Sequence, residues 1–523
     1  MLLLSPVYVV VAAFVLAAIH MARCLASPLR KLPGPTVSLF TSLALRWNEI
    51  NAKRTLYIHA LHEKYGPVVR VSPNQVSYTS WPALKEIYCS GGSGYDKSDF
   101  YDLFKIYGTR TMFTTLNKAD TSRQHAKRKR ILADRYANSN IMRSISLDGI
   151  QERSRAFLHR CTQAGDVATD IFQSSAHSKA SFPALVADYH EALHAYACDC
   201  ITHHLFHPNG TDCIGKETDE DMMHQVAADD SLQNRLISHY SPTLHRLFAG
   251  ILSFLVKPRS VPLADNYVLQ TSRRTDAASF TLLSRLEEKS SHLDHIDMAA
   301  ECLDHMVAGI DTTGDTLCFL MWELSQPRSL HLQRRLSDEL RKKPDVGIDQ
   351  LPFLDAVLCE GLRCYPAIPM SLPRLVPHGG RTIDGFHVPE NTIVSCQAHS
   401  VHRMNTDVFP DPDVFRPDRW MAAQGDADRR RLLFAFSNGG RGCIGKHLAI
   451  AEMKTLLRDV YSRYSTTPDA SMTAESMVMS DQLISTRPLG KKCLLKFHPL
   501  PEVKDVGEPG GFDGCASRTE IPR

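Results

Sequence analysis

The sequence predicts a mainly α-helical protein in which a single membrane-spanning helix precedes one large globular domain. Residues 2–21 form an apolar run that is interrupted only by Ser5, Pro6 and His20. Residues 292–324 show a helical pattern with apolar side chains nearly all round, which is typical of a helix buried in a large core. With 43% hydrophobic and 22% charged residues, the composition is that of a packed protein and excludes a mainly disordered chain.

The N-terminal apolar run is long enough at helical rise to cross a bilayer core of about 30 Å. Arg23, Arg30 and Lys31 follow the run and no Lys or Arg precedes it, so the positive-inside rule places the body of the protein in the cytosol. A cleaved signal peptide is the alternative, but it carries basic residues before its apolar core and a small-residue cleavage site after it. We therefore predict an uncleaved anchor with its basic flank over residues 1–31.

The segment 32–35, Leu-Pro-Gly-Pro, ends the anchor because its prolines fix φ and remove hydrogen-bond donors. Residues 32–500 contain no internal repeat and no low-complexity tract, which indicates one large domain. Residues 501–523 carry Gly-Glu-Pro-Gly-Gly without apolar periodicity, so we expect a flexible tail there.

The charge balance and the cysteine pattern exclude two classes of protein. The chain has 60 Lys and Arg against 57 Asp and Glu, a formal net charge of +3, which argues against a dedicated nucleic-acid binder. Its 14 cysteines are scattered without a CxxC pair, which excludes a disulfide scaffold and indicates reduced thiols in a chain that faces the cytosol.

Residues 308–314 read Ala-Gly-Ile-Asp-Thr-Thr-Gly inside the predicted buried helix. Each glycine costs roughly 1 kcal/mol in a helix interior, and a buried Asp or Thr needs a hydrogen-bond partner. One interpretation is an ordinary turn in which a threonine hydroxyl bonds to the carbonyl four residues earlier. The other is a local distortion that opens a groove for a ligand and presents a carboxylate and a hydroxyl to it. The residues alone leave both interpretations open.

Four glycines surround Cys443 in the segment 436–445, Phe-Ser-Asn-Gly-Gly-Arg-Gly-Cys-Ile-Gly, and a helical pattern follows. Such a loop lets backbone N–H groups point at the sulfur, and the next helix N-terminus adds partial positive charge, so both favour a thiolate metal ligand. Other interpretations are an ordinary buried cysteine and a phosphate loop, since residues 440–446 read GxxxxGK. His447 counts against the phosphate loop because it stands where a Ser or Thr should bind magnesium.

Glu360 and Arg363 are three residues apart in a predicted helix with an apolar stripe. Taken alone, they form an ordinary ion pair worth roughly a few tenths of a kcal/mol, on the side of the helix away from that stripe. Their interest comes from two segments downstream, Leu-Pro-Arg at 372–374 and Phe-Arg-Pro-Asp-Arg-Trp at 415–420.

Taken in order, four motifs resemble the signatures of the cytochrome P450 family: AGxDTT at 308–313, ExxR at 360–363, FxPxRW at 415–420 and FxxGxRxCxG at 436–445. The resemblance covers residues 32–500 and is closest in character to fungal microsomal members of secondary metabolism. It implies a mainly α fold with a small β region and a haem-thiolate monooxygenase. The enzyme would insert one oxygen atom from O₂ into a lipophilic small molecule.

The resemblance also implies which side chains hold haem b. They are Cys443 as the axial iron ligand, and His125, Lys129, Arg374 and Arg441 toward the propionates. Lys129 departs from the family pattern, which usually has Arg at that position, and Arg128 could take its place.

The remaining motif residues receive two further roles from the resemblance. Asp311 and Thr312 are similar to the acid and alcohol pair that delivers protons during oxygen activation, with Gly309 opening the groove. Glu360, Arg363 and Arg419 resemble the family's buried charge network, which has a structural and haem-retaining role.

The implied partners follow from the same resemblance. Electrons would come from NADPH through NADPH–cytochrome P450 reductase, with cytochrome b5 as an optional second donor, and the anchor would lie in the endoplasmic reticulum membrane. We expect the basic residues 127–130, with Lys446 and residues 429–431, to form the reductase-docking surface. Charge reversal there should weaken the ionic-strength dependence of the reduction rate. No nucleic-acid partner is expected.

By family position, the substrate pocket draws on residues 95–113, 205–251, 368–372 and 482–485 and on the long helix near Met306 and Ala308. These segments are largely apolar, which favours a lipophilic intermediate. Two alternatives stay open: an isomerase or dehydratase that acts on a peroxide, and a haem sensor or carrier without turnover.

Overall fold

The computed structural model describes residues 6–89, 94–116, 124–163, 167–172, 192–227, 230–255, 259–289 and 293–501. The predictions for residues 2–5, for His292 and for the tail beyond Pro501 fall outside these ranges. The predicted class, mainly α with a small β region, is confirmed.

The α-helices are α1 (Pro6–Ala26), α2 (Val37–Phe40), α3 (Leu43–Ile50), α4 (Arg54–Tyr65), α5 (Trp81–Leu84), α6 (Gln124–Leu132), α7 (Asn138–Ile141), α8 (Ser144–Thr162), α9 (Ala192–Phe206), α10 (Glu217–Ala227), α11 (Leu232–Tyr240), α12 (Pro242–Leu255), α13 (Pro262–Thr271), α14 (Leu282–Lys289), α15 (His295–Ser325), α16 (Leu330–Lys342), α17 (Pro352–Cys364), α18 (Ala398–Met404), α19 (Asp426–Leu432) and α20 (Lys446–Tyr461).

The strands are short and are β1 (Val68–Ser72), β2 (Gln75–Tyr78), β3 (Asp96–Lys97), β4 (Thr169–Asp170), β5 (Arg374–Leu375), β6 (Arg381–Ile383), β7 (Phe386–Val388), β8 (Ile393–Cys396), β9 (Tyr464–Pro468), β10 (Met479–Asp481), β11 (Thr486–Pro488) and β12 (Leu494–Pro499). The largest sheet has five strands in the order β1-β2-β8-β5-β3, with only β2 and β8 parallel. The others are β4-β12-β9, β6-β7 and β10-β11.

Helix α15 crosses the core, as the continuous apolar pattern predicted. It has 31 residues, or about 46 Å at helical rise. It begins at His295, because the Asp294 side chain accepts a hydrogen bond from the backbone N–H of Asp297 at 2.8 Å and so caps the helix.

Two glycines in α15 allow helix α9 to pack closely against it. A Cβ at Gly309 would lie 2.7 Å from Ile201, and one at Gly314 would lie 2.8 Å from His194. Both distances are shorter than a side chain tolerates, so close helix packing offsets the cost of glycine in a helix interior.

Helix α1 stands apart from the core. Val7–Ala26 is long and apolar enough to cross a membrane, with a mean hydropathy of 2.2 and only 6% of the segment buried. The helix continues past the apolar run of the sequence, through Arg23 to Ala26.

Candidate active site

The loop that carries Cys443 is fixed by close backbone contacts. Gly439 has a φ of 70°, and a Cβ there would lie 1.9 Å from the carbonyl oxygen of Tyr88. The backbone N–H of Cys443 donates to the carbonyl of Phe436 at 2.9 Å. Position 439 therefore accepts only glycine, which explains part of the glycine-rich pattern.

The Cys443 thiol lies just before the N-terminus of α20, and the backbone N–H groups of Gly445 and Lys446 donate to it. Desolvation by the surrounding protein raises the pKa of the thiol, although the side chain keeps open surface, whereas these N–H groups and the ammonium of Lys129 act to lower it. The Cys443 side chain is exposed, while the other cysteines in the described part of the chain are buried or half-buried. The sulfur is therefore open to a ligand on one side and supported by donors on the other.

Three cations, Lys97, Arg374 and Arg441, crowd together near this loop. Lys97 of β3 is the direct register partner of Arg374 in β5, an arrangement of like charges that destabilises a strand pair. Arg441 donates to the carbonyl of Thr115 at 2.8 Å and to the carboxylate of Asp96 at 3.2 Å. Burial and the charges of Arg374 and Arg441 hold the pKa of Lys97 well below its ordinary value. An anionic ligand would relieve this repulsion.

His125 lies in the first turn of α6 beside this group of cations. Burial, with the charges of Arg441 and Lys97, lowers the pKa of His125 to about 3. The imidazole is therefore neutral at pH 7 and has one ring N–H to donate. Lys97 was not predicted, because its position opposite Arg374 depends on strand pairing that no motif in the sequence indicates.

Lys129 binds the Cys443 loop directly. Its Nζ donates to the carbonyl of Gly440 at 3.0 Å and to that of Gly442 at 2.7 Å. Arg128 does not take its place: it faces α15 and pairs with Glu301 at 3.0 Å. Lys in place of the usual Arg therefore still puts a cation at position 129 in contact with the Cys443 loop.

Asp311 and Thr312 lie half-buried on α15, which remains α-helical through residues 308–314. The hydroxyl of Thr312 donates to the carbonyl of Ala308 at 2.6 Å. This is the bond from a threonine hydroxyl to the carbonyl four residues earlier that the first interpretation of the motif described. The local distortion of the second interpretation is not seen as an interruption of the helix, and Gly309 faces Ile201 rather than an open groove.

A cavity of about 80 Å³ borders α15 at this point. Its lining residues are Phe104, Phe172, His194, Ala227, Arg235, Arg259, Val307, Asp311, Asp315, Gln482, Leu483, Ile484, Ser485 and Arg487. The predicted segments 95–113, 205–251 and 482–485 contribute to it, whereas Met306 and Ala308 do not line it. The cavity has a mainly apolar surface, but three arginines and two aspartates also line it.

Glu360 and Arg363 are fully buried at the centre of a charge network. Arg363 binds the carboxylate of Glu360 through two N–H groups at 2.8 and 2.9 Å, and Arg419 donates to the same carboxylate at 3.0 Å. The indole N–H of Trp420 and the backbone N–H of Arg416 donate to it at 2.9 Å each. The face of α17 away from the apolar stripe is covered by the 415–420 segment, so the pair is buried rather than solvated.

His402 connects this network to the Cys443 loop. Its Nε2 accepts from the backbone N–H of Phe434 at 2.8 Å, so its Nδ1 carries the proton and donates to the carbonyl of Arg363 at 2.9 Å. Burial and the charge of Arg363 lower the pKa of His402 to about 3, which keeps it neutral. The network thereby supports the chain that leads into the loop, a link that no sequence motif showed.

Comparison with known proteins decides the family. A family model, Cytochrome P450, matches residues 32–494. The chain belongs to the cytochrome P450 family. This cytochrome P450 is 27% identical over 492 residues to cytochrome P450 monooxygenase stcB of Emericella nidulans, which covers 90% of this chain and 88% of the relative.

Two further relatives are named for other activities. Conidiogenone synthase PchP450 of Penicillium rubens is 29% identical over 449 residues, which is 83% of this chain and 87% of the relative. Pisatin demethylase of Fusarium vanettenii is 28% identical over 478 residues, which is 84% of this chain and 85% of the relative. Family and relatives together make this cytochrome P450 an oxidoreductase of the monooxygenase type.

Membership of the family implies haem, and the residues present fit that group. The accessible Cys443 thiol matches an axial ligand, and the repelling charges of Lys97, Arg374 and Arg441 match the two propionates. When bound, a haem with a thiolate ligand activates O₂. Cys443 would hold such a haem and the three cations would face its propionates, while Asp311 lines the cavity and Thr312 follows it in α15.

Proposed function

We propose that this cytochrome P450 inserts one oxygen atom from O₂ into a lipophilic secondary-metabolite intermediate, with electrons from NADPH passed on by NADPH–cytochrome P450 reductase. The observation that carries the proposal is the exposed thiol of Cys443, which receives backbone N–H donors from the start of α20. Relatives that are named as a monooxygenase, a synthase and a demethylase support oxidation of a small molecule. In this proposal Cys443, His125, Lys129, Arg374 and Arg441 bind the haem.

The two alternatives make different demands on the site. An isomerase or dehydratase acting on a peroxide needs no proton delivery for O₂ activation, and the intact Asp311-Thr312 pair favours the monooxygenase over it. A sensor or carrier would show no turnover. NADPH-dependent product formation in membranes that contain the reductase separates both from the proposed function.

Replacing Thr312 with alanine is expected to uncouple the reaction. The hydroxyl beside Asp311 would be lost, so protons would reach the oxygen-activation step less selectively and peroxide would be released. Product formed per NADPH should fall by about tenfold, less than a fully positioned acid contributes because water can partly replace the hydroxyl. The measurement compares NADPH consumption, peroxide and product.

Thr316→Ala is the matched control for this substitution. The Thr316 hydroxyl donates to the carbonyl of Thr312 at 2.8 Å, the same type of bond one turn further along α15, but Thr316 is buried, whereas Thr312 is half-buried next to Asp311. Coupling should stay at the wild-type level in Thr316→Ala. Equal coupling in Thr312→Ala and the wild type would show that the hydroxyl has no such role.

The reductase is proposed to dock on the exposed cations Lys127, Arg130 and Lys446. Residues 429–431, which the sequence analysis included in this surface, are left out of it because their charges already have partners. Arg429 is buried and bonds to backbone carbonyls, and Arg430 and Arg431 pair with acidic residues of the same helix.

Attachment to the endoplasmic reticulum membrane is proposed from α1 and a neighbouring apolar surface. This surface comprises the exposed side chains of Leu43, Trp47, Leu244, Leu247, Phe248 and Ile251. Helices α3 and α11 are joined by a hydrogen bond from Gln233 to the carbonyl of Ile50 at 3.1 Å, and α12 follows α11 directly. These helices are therefore neighbours, and we propose that their exposed apolar side chains contact lipid together with the anchor.

Introducing Leu247→Glu and Phe248→Glu into a chain that lacks residues 1–26 is expected to reduce its binding to phosphatidylcholine vesicles by at least about tenfold. Burial of each apolar side chain contributes about 1.5–3 kcal/mol, and a carboxylate reverses this contribution. Vesicle co-sedimentation gives the partition coefficient. Val414→Glu, at a side chain of similar exposure elsewhere, should leave binding unchanged, and an equal loss there would contradict a specific lipid contact.

A further inference from the structure

A surface groove of about 730 Å³ lies between the C-terminal ends of α16 and α20 and the last strand, β12. It shares no lining residue with the cavity beside Asp311. Leu340, Pro344 and Leu500 form an apolar part of its wall, and Tyr464 adds an aromatic side chain. Three arginines also line it, and we call it the arginine groove after them: Arg341, Arg458 and Arg463.

Positive charge dominates the arginine groove. Among the described residues that line it, Asp459 is the single acidic one. Arg458 and Arg463 form no ion pair with any residue in the described ranges, although Arg458 is half-buried. Arg341 donates to a backbone carbonyl, that of Pro501. Guanidinium groups bind carboxylates through paired N–H donors, so the groove suits an acidic segment of chain.

The chain itself runs into this groove where the described residues end. The backbone N–H of Leu500 donates to the carbonyl of Arg463 at 2.8 Å, and Pro501 is one of the lining residues. Residues 502–523 follow directly. Residue 502 therefore begins at the groove, and this tether gives the segment after it a high effective concentration there.

The segment 502–508 reads Glu-Val-Lys-Asp-Val-Gly-Glu and has an acidic residue at every third position: 502, 505 and 508. Its two valines, at 503 and 506, are also three residues apart. Pro501 and Pro509 flank the segment, and proline favours the polyproline II conformation, which has three residues per turn. In that conformation the acids would share one side of the segment and the valines the next. This spacing suits a groove in which guanidinium groups stand beside apolar side chains.

We propose that residues 502–508 of this chain bind in the arginine groove, with their three acids on its guanidinium groups and their valines on its apolar wall. The proposal goes beyond the proposed function and does not depend on it. Seven residues span up to roughly 22 Å in the polyproline II conformation, so the last acid can reach across the groove. A separate acidic partner would have to displace a segment that is already tethered at Pro501, which favours the chain's own segment as the occupant. The flexible tail expected from the sequence would then begin at Pro509.

Zero-length cross-linking of the full-length, detergent-solubilised protein tests the proposal. A carbodiimide joins an ammonium to a carboxylate only when the two groups are in contact. Arg463→Lys and Arg458→Lys each keep the charge of the groove and add an amine that can react. Mass spectrometry of digests should find cross-links from position 463 or 458 to the three acids of segment 502–508. Because the contact is electrostatic, about 0.5 M NaCl should reduce their yield at least about threefold.

Lys342 is a natural control in the same protein, because it is exposed and next to Arg341 in the sequence but does not line the groove. Cross-links to segment 502–508 should be at least about fivefold more abundant from position 463 than from Lys342. Adding Arg458→Gln to Arg463→Lys should lower the yield, since it removes one of the guanidinium groups that hold the segment. A carbon-monoxide difference spectrum like that of the wild type shows that each variant is folded.

Equal yields from Lys342 and from position 463 would overturn the proposal, because they would reflect random encounters of a tethered tail. Cross-links that join two molecules instead of one would also overturn it and would assign the groove to the segment of a second copy. The absence of any cross-link from both groove positions to residues 502–508 would overturn it as well and would leave the groove to a separate acidic partner.

Discussion

Replacing Cys443 with serine is expected to abolish the red-shifted Soret band that the dithionite-reduced, carbon-monoxide-treated protein should show. Serine has nearly the same shape, so the donors from Gly445 and Lys446 stay in place. Its hydroxyl does not ionise near neutral pH, however, and an alcohol cannot replace a soft anionic sulfur ligand. The loss of the band should be complete, and product formation should fall to background.

Cys89→Ser provides the control for this substitution. Cys89 is half-buried, and its Cα would lie 3.0 Å from a Cβ at Gly439, so it borders the same loop without presenting its thiol as Cys443 does. Its spectrum should match that of the wild type. A red-shifted band that survives in Cys443→Ser, or an imidazole-type band in the wild type, would contradict the assignment of the axial ligand.

Residues in local motifs could be predicted from the sequence because the residue types that indicate the chemistry stand next to one another, although the contact of Gly439 with Tyr88 could not. Gly439 and Cys443 belong to one tight loop, and the prediction of a buried central helix depended only on apolar side chains around 292–324. The positions of the strands were not predicted, since several have only two or three residues and no visible alternation.

Residues that act through distant partners could not be predicted in this way. Lys97 belongs to the cation group only because it lies opposite Arg374. The two residues are 277 positions apart in the sequence, and the pairing of β3 with β5 brings them together. Arg487 and Asp230 likewise meet only in the folded chain. The same limit explains why Arg128 was considered as a haem partner. Its ion pair with Glu301 depends on the packing of α6 near α15, which the sequence does not show.

Replacing Glu360 with glutamine is expected to destabilise the haem domain by about 3–5 kcal/mol, because it leaves Arg363 and Arg419 buried without a counter-charge. Burial alone would raise the pKa of Glu360, but Arg363 and Arg419 lower it below its ordinary value. The carboxylate therefore contributes stability above its unfolded-state pKa, and this contribution is lost as the pH falls through the folded-state pKa. The urea concentration that halves the thiolate-type band reports the effect.

Asp428→Asn is the matched control, because Asp428 and Arg431 form an ion pair with the same three-residue spacing and a distance of 2.9 Å. Their side chains are 56% and 44% exposed, whereas those of Glu360 and Arg363 are fully buried. A solvated pair contributes about 0–1 kcal/mol, so the control should shift the urea midpoint little. Equal shifts in both variants would mean that the sequence spacing, rather than burial under the 415–420 segment, sets the strength of the pair. A larger shift in Glu360→Gln, with early loss of the band, would instead support the path from Arg363 through His402 to the Cys443 loop.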